Sequence, residues 1–355
     1  MATREPQRLI VYMSTLNPQG IGVAKAILSA FTELQALGFE VALRRADLTA
    51  SILDAGWNAI GRIYAILFDG IGLGFRYGSL LNMLSSAVLR PRVFLTWHED
   101  RWVYSRLMRE RPLRGRVFNK LMKSKALHHL VISKRAKSFC QSLGVQDSRI
   151  RIVGGCVSPP DETARDIRVF PSDDRVRIVA TSSIQARKGT DIFCQAAIKV
   201  CQNLPQVDFF WIGRPLGFEP GFFETCRNLV RRSGFDDRIQ FCGFVERPDI
   251  YIAHCDMFVQ TSRDEPLGLS ALEAMAFGKT VIGFDVGGLP ELMAGCYHVL
   301  GQPNADELAE KIIELASGNR DNLVREDARR RALDFFSPKE YAARLARAIR
   351  SVTEE

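Results

Sequence analysis

Two successive runs of alternating strand and helix patterns constrain the fold of this chain most. Short apolar segments alternate with helical segments from residue 8 to residue 153, and the same alternation restarts at residue 177. Between the runs, residues 158–174 are rich in turn-forming and charged residues. Such alternation is typical of parallel sheets with helices on both faces. We therefore predict an α/β protein of two doubly wound domains, at residues 1–165 and 170–337, with a last helix at 338–355.

Composition excludes several other classes of protein. With 46% hydrophobic and 25% charged residues, the chain is neither disordered nor fibrous. No apolar run reaches the roughly 20 residues of a membrane-spanning helix, and the first residues lack the apolar core of a signal peptide. The eight cysteines form no Cys-x-x-Cys pair, which indicates reduced, mostly buried thiols and no zinc site. These features predict a cytoplasmic enzyme.

Charge is distributed unevenly between the two halves. Residues 1–170 contain 25 Lys and Arg against 13 Asp and Glu, whereas the remainder contains 23 against 27. The segment from Arg101 to Lys137 holds 12 basic residues and a single acid. This asymmetry predicts that the first half faces an anionic partner. A nucleic acid is excluded because neither a recognition helix nor an aromatic platform is evident.

The basic segment has the pattern of two helices broken near Pro112. In the second of them, the residues assigned to one apolar face are Val117, Phe118, Leu121 and Met122, opposite basic residues. A helix of this kind suits an anionic membrane surface, which predicts peripheral attachment to the inner face of the cell membrane. The apolar stretch at residues 57–75 could add a groove for a hydrophobic acceptor. Simple packing on the sheet and a merely solvated basic face remain alternatives.

The most informative stretch is residues 264–278, which read Asp-Glu-Pro-Leu-Gly-Leu-Ser-Ala-Leu-Glu-Ala-Met-Ala-Phe-Gly. A helix beginning near Leu267 places Glu265 just before its amino end and Glu273 inside it. The free backbone amides at Gly268 and Leu269 then form an anion site. Carboxylates beside a phosphate suit a sugar nucleotide. An ordinary amphipathic helix with an acid near its amino end is the alternative.

Two further stretches follow predicted strands and precede helices. Residues 182–189 place Arg187 and Lys188 at the carboxyl end of a strand, where both can bind phosphate. A solvated Arg-Lys pair would look the same. Residues 287–291, Gly-Gly-Leu-Pro-Glu, read as a tight turn into a short helix with proline at its first position.

Together, in this order and spacing, the three stretches resemble the retaining GT-B glycosyltransferases (glycosyltransferase family 4, group 1), whose E-x7-E signature matches Glu265 and Glu273. The resemblance implies two Rossmann-like domains facing each other across a cleft, the first for the acceptor and the second for the nucleotide sugar. It also implies that the last helix crosses back to the first domain.

The activity implied by the resemblance is metal-independent, retaining transfer of a hexose-type sugar. The donor would be a nucleoside-diphosphate sugar, either UDP- or GDP-linked, and the acceptor a glycan or a lipid-linked molecule of polysaccharide or glycolipid biosynthesis. No prosthetic group and no metal ion would be required. An inactive relative that only binds sugar nucleotides, and a GT-B sugar-nucleotide epimerase, are the alternatives.

Residue roles follow from the same resemblance. Glu265 and His98 would be the catalytic residues at the transferred sugar, although residues 98–100 taken alone favour a surface turn over a catalytic His98. Lys188, with Arg187 beside it, would bind the diphosphate of the donor. Glu273 would hold the ribose hydroxyls.

The resemblance assigns further contacts with the donor to glycines and apolar residues. Gly20 and Gly22 would form a loop of the first domain that closes on the diphosphate. Phe244 and Val245 would flank the nucleobase, and the helix amides after Pro266 would meet phosphate.

At two positions the chain departs from the family pattern. Ser183 stands where many members carry an arginine, so Arg187 would have to replace that charge. Pro266 stands in place of a flexible glycine beside the donor sugar.

Overall fold

A computed structural model describes residues 7–13, 22–45, 63–69, 92–98, 101–217, 219–295, 298–318 and 322–353. The chain divides into two compact units. The first unit contains the residues up to Ser158 together with those from Phe336 onward, and the second contains Pro159–Phe335. The polypeptide therefore leaves the first unit once and returns to it once.

Six parallel strands form the sheet of the first unit, in the order β2-β1-β3-β4-β5-β6. Their bounds are β1 Gln7–Met13, β2 Phe39–Arg45, β3 Ile63–Asp69, β4 Arg92–Trp97, β5 Leu127–Val131 and β6 Ile150–Ile152. The helices described in this unit are α1 Gly22–Ala36, α2 Arg101–Glu110, α3 Pro112–Met122, α4 Lys134–Ser142 and, at the end of the chain, α12 Pro338–Thr353.

Helices cover both faces of this first sheet. Along β4, Phe94 packs into the cluster that α1 and α12 share, whereas Val93 and Leu95 pack into the cluster that includes residues of α2, α3 and α4. Alternate residues of a strand point to opposite faces, so the strand is buried on both sides. A continuous apolar run such as 93–95 is the sequence signature of that environment.

The last helix belongs to the core of the first unit. Tyr341, Leu345 and Ile349 of α12 are fully buried in one cluster with Phe31 and Leu34 of α1. Because these positions recur every three or four residues, they form one apolar face of the helix. The predicted return of the chain's last helix to the first domain is confirmed.

The second unit also contains six parallel strands, in the order β12-β11-β10-β7-β8-β9. Their bounds are β7 Val176–Thr181, β8 Val207–Ile212, β9 Ile239–Gly243, β10 Met257–Gln260, β11 Thr280–Phe284 and β12 His298–Leu300. The helices described here are α5 Thr190–Asn203, α6 Phe222–Ser233, α7 Pro248–His254, α8 Leu269–Ala276, α9 Leu289–Leu292, α10 Ala305–Ser317 and α11 Asn322–Phe335.

The predicted fold class, two doubly wound parallel sheets, is confirmed, and the differences lie in single elements. Residues 63–69, predicted as part of an apolar groove, form β3 and pair with β1 and β4. The rest of the 57–75 stretch lies outside the described residues. Helix α8 begins at Leu269, two residues later than predicted, because Gly268 adopts a left-handed conformation (φ +96°) that a helix cannot contain.

The seven cysteines in the described part of the chain are all free, and six of them are buried. Within those described residues, no helix is both long enough and apolar enough to span a bilayer.

Candidate active site

Three loops meet at the carboxyl edge of the second sheet. They follow β7, β10 and β11, which are consecutive strands in the sheet order. Each strand ends at this edge because the strands are parallel, so the loops that follow them become neighbours. Lys188, Glu265 and the Gly287-Gly288 turn lie in these loops, and the structure brings all three together.

Glu265 lies at the centre of this arrangement. Only 6% of the residue is exposed, and its Oε2 atom accepts three hydrogen bonds. Lys188 Nζ donates over 2.6 Å, Ser262 Oγ over 2.9 Å and Gln260 Nε2 over 3.1 Å. The carboxylate is therefore held by one cation and two neutral donors, which lie in two loops and at the end of β10.

Opposing influences act on the pKa of Glu265. Burial raises the pKa, but the charge and hydrogen bond of Lys188, the charge of Arg187 and the hydrogen bond of Ser262 together outweigh burial and lower it. Glu265 is therefore an anion at neutral pH. A buried carboxylate of this kind is a fixed acceptor for hydroxyl groups, and it is not protonated as a general acid must be.

Backbone contacts hold the Lys188 loop against the Glu265 loop. Thr261 Oγ1 donates to the carbonyl of Lys188 over 2.9 Å, and the amide of Arg263 donates to the carbonyl of Arg187 over 2.8 Å. Gly189 is left-handed (φ +68°), and a Cβ at this position would overlap the carbonyl of Thr261. Only glycine allows so close an approach.

The third loop holds the backbone of Glu265. Gly288 donates its amide to the carbonyl of Glu265 over 2.9 Å. At Gly287 (φ +52°), a Cβ would overlap that same carbonyl group. The glycine pair, predicted only as a tight turn, thus fixes the position of Glu265.

Other residues predicted for donor binding lie around this cluster. Arg187 Nη1 donates to the carbonyl of Asp264 over 3.3 Å, so Arg187 lies toward the Glu265 loop. Gly268 precedes the first turn of α8, where Leu269 is the first helical residue, and Glu273 lies in its second turn, partly exposed. At Ser183, the hydroxyl accepts a hydrogen bond from Gln185.

Farther along the same edge, the ends of β8 and β9 present an exposed aromatic ring. Phe244 directly follows β9, and 57% of it is exposed. The guanidinium of Arg214, which follows β8, lies 5.5 Å from the ring centre, within the range of a cation–π contact. Val245, the next residue, is partly exposed.

The remaining predicted site residues belong to the first unit. His98 directly follows β4 and is partly exposed. Gly22 is the first residue of α1, and Gly20 lies outside the described residues.

A buried network supports the strand that leads to His98. Trp97 Nε1 donates to His129 Nδ1 over 3.0 Å, and the other ring nitrogen of His129 lies 2.9 Å from the carbonyl of Met122. Burial lowers the pKa of His129 to about 4, although its bond to Met122 acts in the opposite direction. His129 is therefore a neutral packing residue at pH 7.

The apolar face of helix α3 does not lie where the membrane interpretation requires it. Phe118, Leu121 and Met122, predicted to face a membrane surface, are instead buried in the core of the first unit. Val117 is 45% exposed and lies on the outer face with Leu113, which is 75% exposed. Val117 is separated from the other three because it lies about 90° around the helix from the middle of the arc that they share.

Sequence reasoning missed the polar residues around the Glu265 carboxylate. Gln260 and Ser262 are almost fully buried and both donate to it. The sequence feature that could have indicated Gln260 is its position as a polar residue at the end of the otherwise apolar strand β10. Across the described ranges, no group of three or more His, Cys, Asp or Glu residues is placed to hold a metal ion.

Part of the chain is similar in sequence to known proteins. Residues 175–318 match the family model described as Glycosyl transferases group 1. The lipopolysaccharide core biosynthesis mannosyltransferase LpsB of Rhizobium meliloti (strain 1021) is 33% identical over 143 residues, which are 40% of each chain. One component of the human phosphatidylinositol N-acetylglucosaminyltransferase is 27% identical over 175 residues, or 48% of this chain and 34% of that protein. The chain thus matches less than half the length of these relatives.

Solved structures extend the likeness to the whole chain. The crystal structure of Anabaena Alr3699/HepE in complex with UDP and glucose has a TM-score of 0.75 and covers 97% of this chain and 100% of that one, at 17% identity. A likeness at this identity concerns the fold. Residues 175–318 thus match the glycosyl transferases group 1 family, and the fold of the chain is that of the GT-B glycosyltransferases.

Proposed function

We propose that this protein transfers a hexose-type sugar from a nucleoside-diphosphate sugar to a lipid-linked or glycan acceptor, with retention of the anomeric configuration. The observation that carries the proposal is the series of groups along one sheet edge. Glu265 follows β10, Lys188 follows β7, Arg214 follows β8 and Phe244 follows β9, and these strands are consecutive. With neighbouring strands about 4.8 Å apart, the series spans about 14 Å.

This series matches the base, the diphosphate and the transferred sugar of a sugar nucleotide in order. The exposed ring of Phe244 offers a stacking surface for the base, and Lys188 with Arg187 supplies positive charge for the diphosphate. Glu265 accepts hydroxyls of the transferred sugar, and Glu273 accepts those of the ribose. The HepE relative was crystallised with UDP and glucose, which supports a donor of this class.

The chemistry requires stabilisation of the leaving diphosphate. Negative charge grows on its oxygen as the bond to the anomeric carbon breaks, and preorganised positive groups lower that barrier. Lys188, Arg187 and the amides at the start of α8 supply such groups from the protein itself, so we propose that the step needs no metal. His98 of the first unit is proposed to act at the sugar, and the first unit to bind the acceptor.

The acceptor is proposed from the relatives together with the basic segment. LpsB acts in lipopolysaccharide core biosynthesis and the human relative acts on phosphatidylinositol, as their names state. Both names point to acceptors with a lipid part. A lipid-linked acceptor at the inner face of the cell membrane, in polysaccharide or glycolipid biosynthesis, is consistent with the basic helices of the first unit.

Replacing Glu265 by Gln tests the proposed function. Wild-type protein incubated with UDP- and GDP-sugars and a lipid-linked acceptor is expected to release nucleoside diphosphate and to form a product with the donor's anomeric configuration, read by NMR. Glu265→Gln is expected to lower transfer by about 100- to 1,000-fold, because the variant loses the charge at the reacting sugar. Glu310→Gln, on the exposed side of α10, is the matched control and should retain full activity.

Other outcomes of this assay would contradict the proposal. Donor binding without turnover would indicate a protein that only binds sugar nucleotides. Conversion of the donor to another sugar nucleotide without any acceptor would indicate an epimerase.

Attachment to an anionic membrane is proposed through the outer face of α3. Leu113, Arg116, Val117 and Lys120 are all exposed on this helix, and their spacing of three and four residues places them on one stripe. Two apolar side chains between cations suit insertion among acidic headgroups. Each basic residue near the surface contributes about 1 kcal/mol of electrostatic attraction to the membrane.

Vesicle sedimentation checks this attachment. Vesicles containing phosphatidylglycerol are expected to sediment the protein at low salt, with release at high salt because the attraction is screened. The double variant Leu113→Glu/Val117→Glu should bind at least tenfold more weakly. Val299→Glu, which alters an exposed apolar residue of β12, is the control. Equal binding of both variants would show that α3 is not the contact.

A further inference from the structure

The side-chain amide of Gln260 is buried beside the carboxylate of Glu265. It is the last residue of β10, and only 5% of it is exposed. Its Nε2 atom donates to Ser262 Oγ over 2.8 Å and to Glu265 Oε2 over 3.1 Å. Ser262 Oγ in turn donates to Glu265 Oε2 over 2.9 Å. The three side chains form a closed triangle of hydrogen bonds.

The oxygen of the same amide differs from its nitrogen. Gln260 Oε1 is buried and accepts no hydrogen bond from any described residue. A buried acceptor without a partner destabilises the folded state. A methionine of similar length would fill the space without this penalty, so stability alone does not explain a glutamine here. What distinguishes glutamine is the pair of hydrogen bonds that Nε2 donates.

The direction of these hydrogen bonds leaves one oxygen of Glu265 for another role. All three donors, Lys188, Ser262 and Gln260, end at Oε2. A carboxylate bound through one oxygen from three directions cannot rotate about its terminal bond without breaking them. Its Oε1 atom is then the acceptor that remains for a ligand.

We propose that Gln260 and Ser262 are positioning residues, which tie Oε2 of Glu265 and thereby direct Oε1 toward a hydroxyl of the transferred sugar. This inference rests on the proposed function, since it names how that site orients its carboxylate. Lys188 supplies charge to the same oxygen but, as a flexible ammonium, it does not fix the carboxylate plane. The two neutral donors, Gln260 and Ser262, fix the orientation of the carboxylate plane.

Kinetics of Gln260→Met and Ser262→Ala test the inference. Each variant is expected to lower kcat about 10- to 100-fold, the loss expected when a hydrogen bond to a charged group is removed. Affinity for the free nucleoside diphosphate should stay within about threefold, since that ligand lacks the sugar. The melting temperature of Gln260→Met should stay within about 3 °C of the wild-type value, because the loss of the hydrogen bonds to Ser262 and Glu265 is offset by the removal of the unpartnered oxygen. A merely structural role would instead lower the melting temperature and leave kcat unchanged.

Thr280→Val provides the matched control. Thr280 begins β11, at the opposite end of the strands from Glu265, is 5% exposed, and its Oγ1 has no partner among the described residues. This variant should keep or raise the melting temperature, but it should leave kcat unchanged. A fall in kcat for Thr280→Val equal to that for Gln260→Met would overturn the inference, because general changes in packing would then explain both.

A readout that does not depend on sugar transfer separates this inference from the proposed function. Glutamate labelled with ¹³C at the side-chain carboxyl carbon gives a resonance for Glu265, identified by its loss in Glu265→Gln. The double variant Gln260→Met/Ser262→Ala should raise the pKa of Glu265, because two donors to the charged form are gone while Lys188 and Arg187 remain. An unshifted pKa would overturn the inference. A shift in a protein that transfers no sugar would support the orientation of Glu265 and overturn the proposed function instead.

Discussion

Replacing Lys188 by Met is expected to lower the melting temperature of the second unit by about 6–20 °C. The ammonium and the Glu265 carboxylate form an ion pair at 2.6 Å, with side chains 14% and 8% exposed. Removing one partner of such a buried pair costs about 3–5 kcal/mol because the other charge stays buried. For a unit of this size, each kcal/mol corresponds to about 2–4 °C. Differential scanning calorimetry measures the shift, and sugar transfer should fall more than about 100-fold in the same variant.

A second substitution shows whether the uncompensated charge causes the loss. Lys188→Met/Glu265→Gln should recover most of the lost stability, although not the activity, because no buried charge remains. Lys311→Met, which breaks a surface pair with Glu314, should cost less than about 1 kcal/mol. Equal losses for Lys188→Met and Lys311→Met would show that the buried pair contributes nothing special.

The same pair gives stability a defined pH dependence. The pKa of Glu265 is lowered in the folded wild type, so its contribution is present above the unfolded pKa of about 4.3 and is lost as pH falls through the folded value. In Lys188→Met, burial acts against less positive charge and raises the pKa of Glu265 relative to the wild type. The difference in stability between the two proteins should therefore narrow as pH falls from 7 toward 4.

Gly287→Ala is expected to destabilise the second unit by at least about 4 kcal/mol and to abolish transfer. A Cβ at this position would overlap the carbonyl group of Glu265, and backbone cannot move aside as a side-chain end can. The glycine turn and the Glu265 loop would separate, and the carboxylate would lose its position. Calorimetry and the transfer assay measure the two effects.

Gly295→Ala is the control for backbone conformation alone. Gly295 is also left-handed (φ +77°), but a Cβ there would meet no atom of the described residues within 4 Å. The variant should cost only the strain of a left-handed alanine, about 1–2 kcal/mol, and keep full activity. Similar losses in the two variants would mean that close approach to Glu265 is not what requires glycine at residue 287.

Most of the fold could be predicted because its strands are buried on both faces. Apolar runs bounded by turns identify β1, β7 and β10 without other information. The strand β3 was missed because its apolar run continues into apolar neighbours, and a run without clear ends does not distinguish a strand from a hydrophobic surface. Helix α11 was missed because arginines and acids occur around much of its circumference, which hides its period.

The candidate site could be predicted in its charged residues but not in its hydrogen bonds. Lys188 and Glu265 are 77 residues apart, and only the sheet order, in which β10 lies beside β7, makes them neighbours. The sequence predicts the strands but not the direction of each side chain at a strand's end. Gln260 therefore looked like one more strand residue. The charge pattern likewise could not decide whether Val117 points inward.

The route of the chain between its two units has a consequence for biosynthesis. The second unit is continuous in sequence, so it is complete as soon as residue 335 has left the ribosome. The first unit is begun earlier but still lacks α12, whose Tyr341, Leu345 and Ile349 fill its core. Until those codons have been translated, the nascent first unit exposes the apolar surface that α12 will cover. A premature stop codon in this region would therefore leave the core of the first unit incomplete, although Glu265 lies in the second unit.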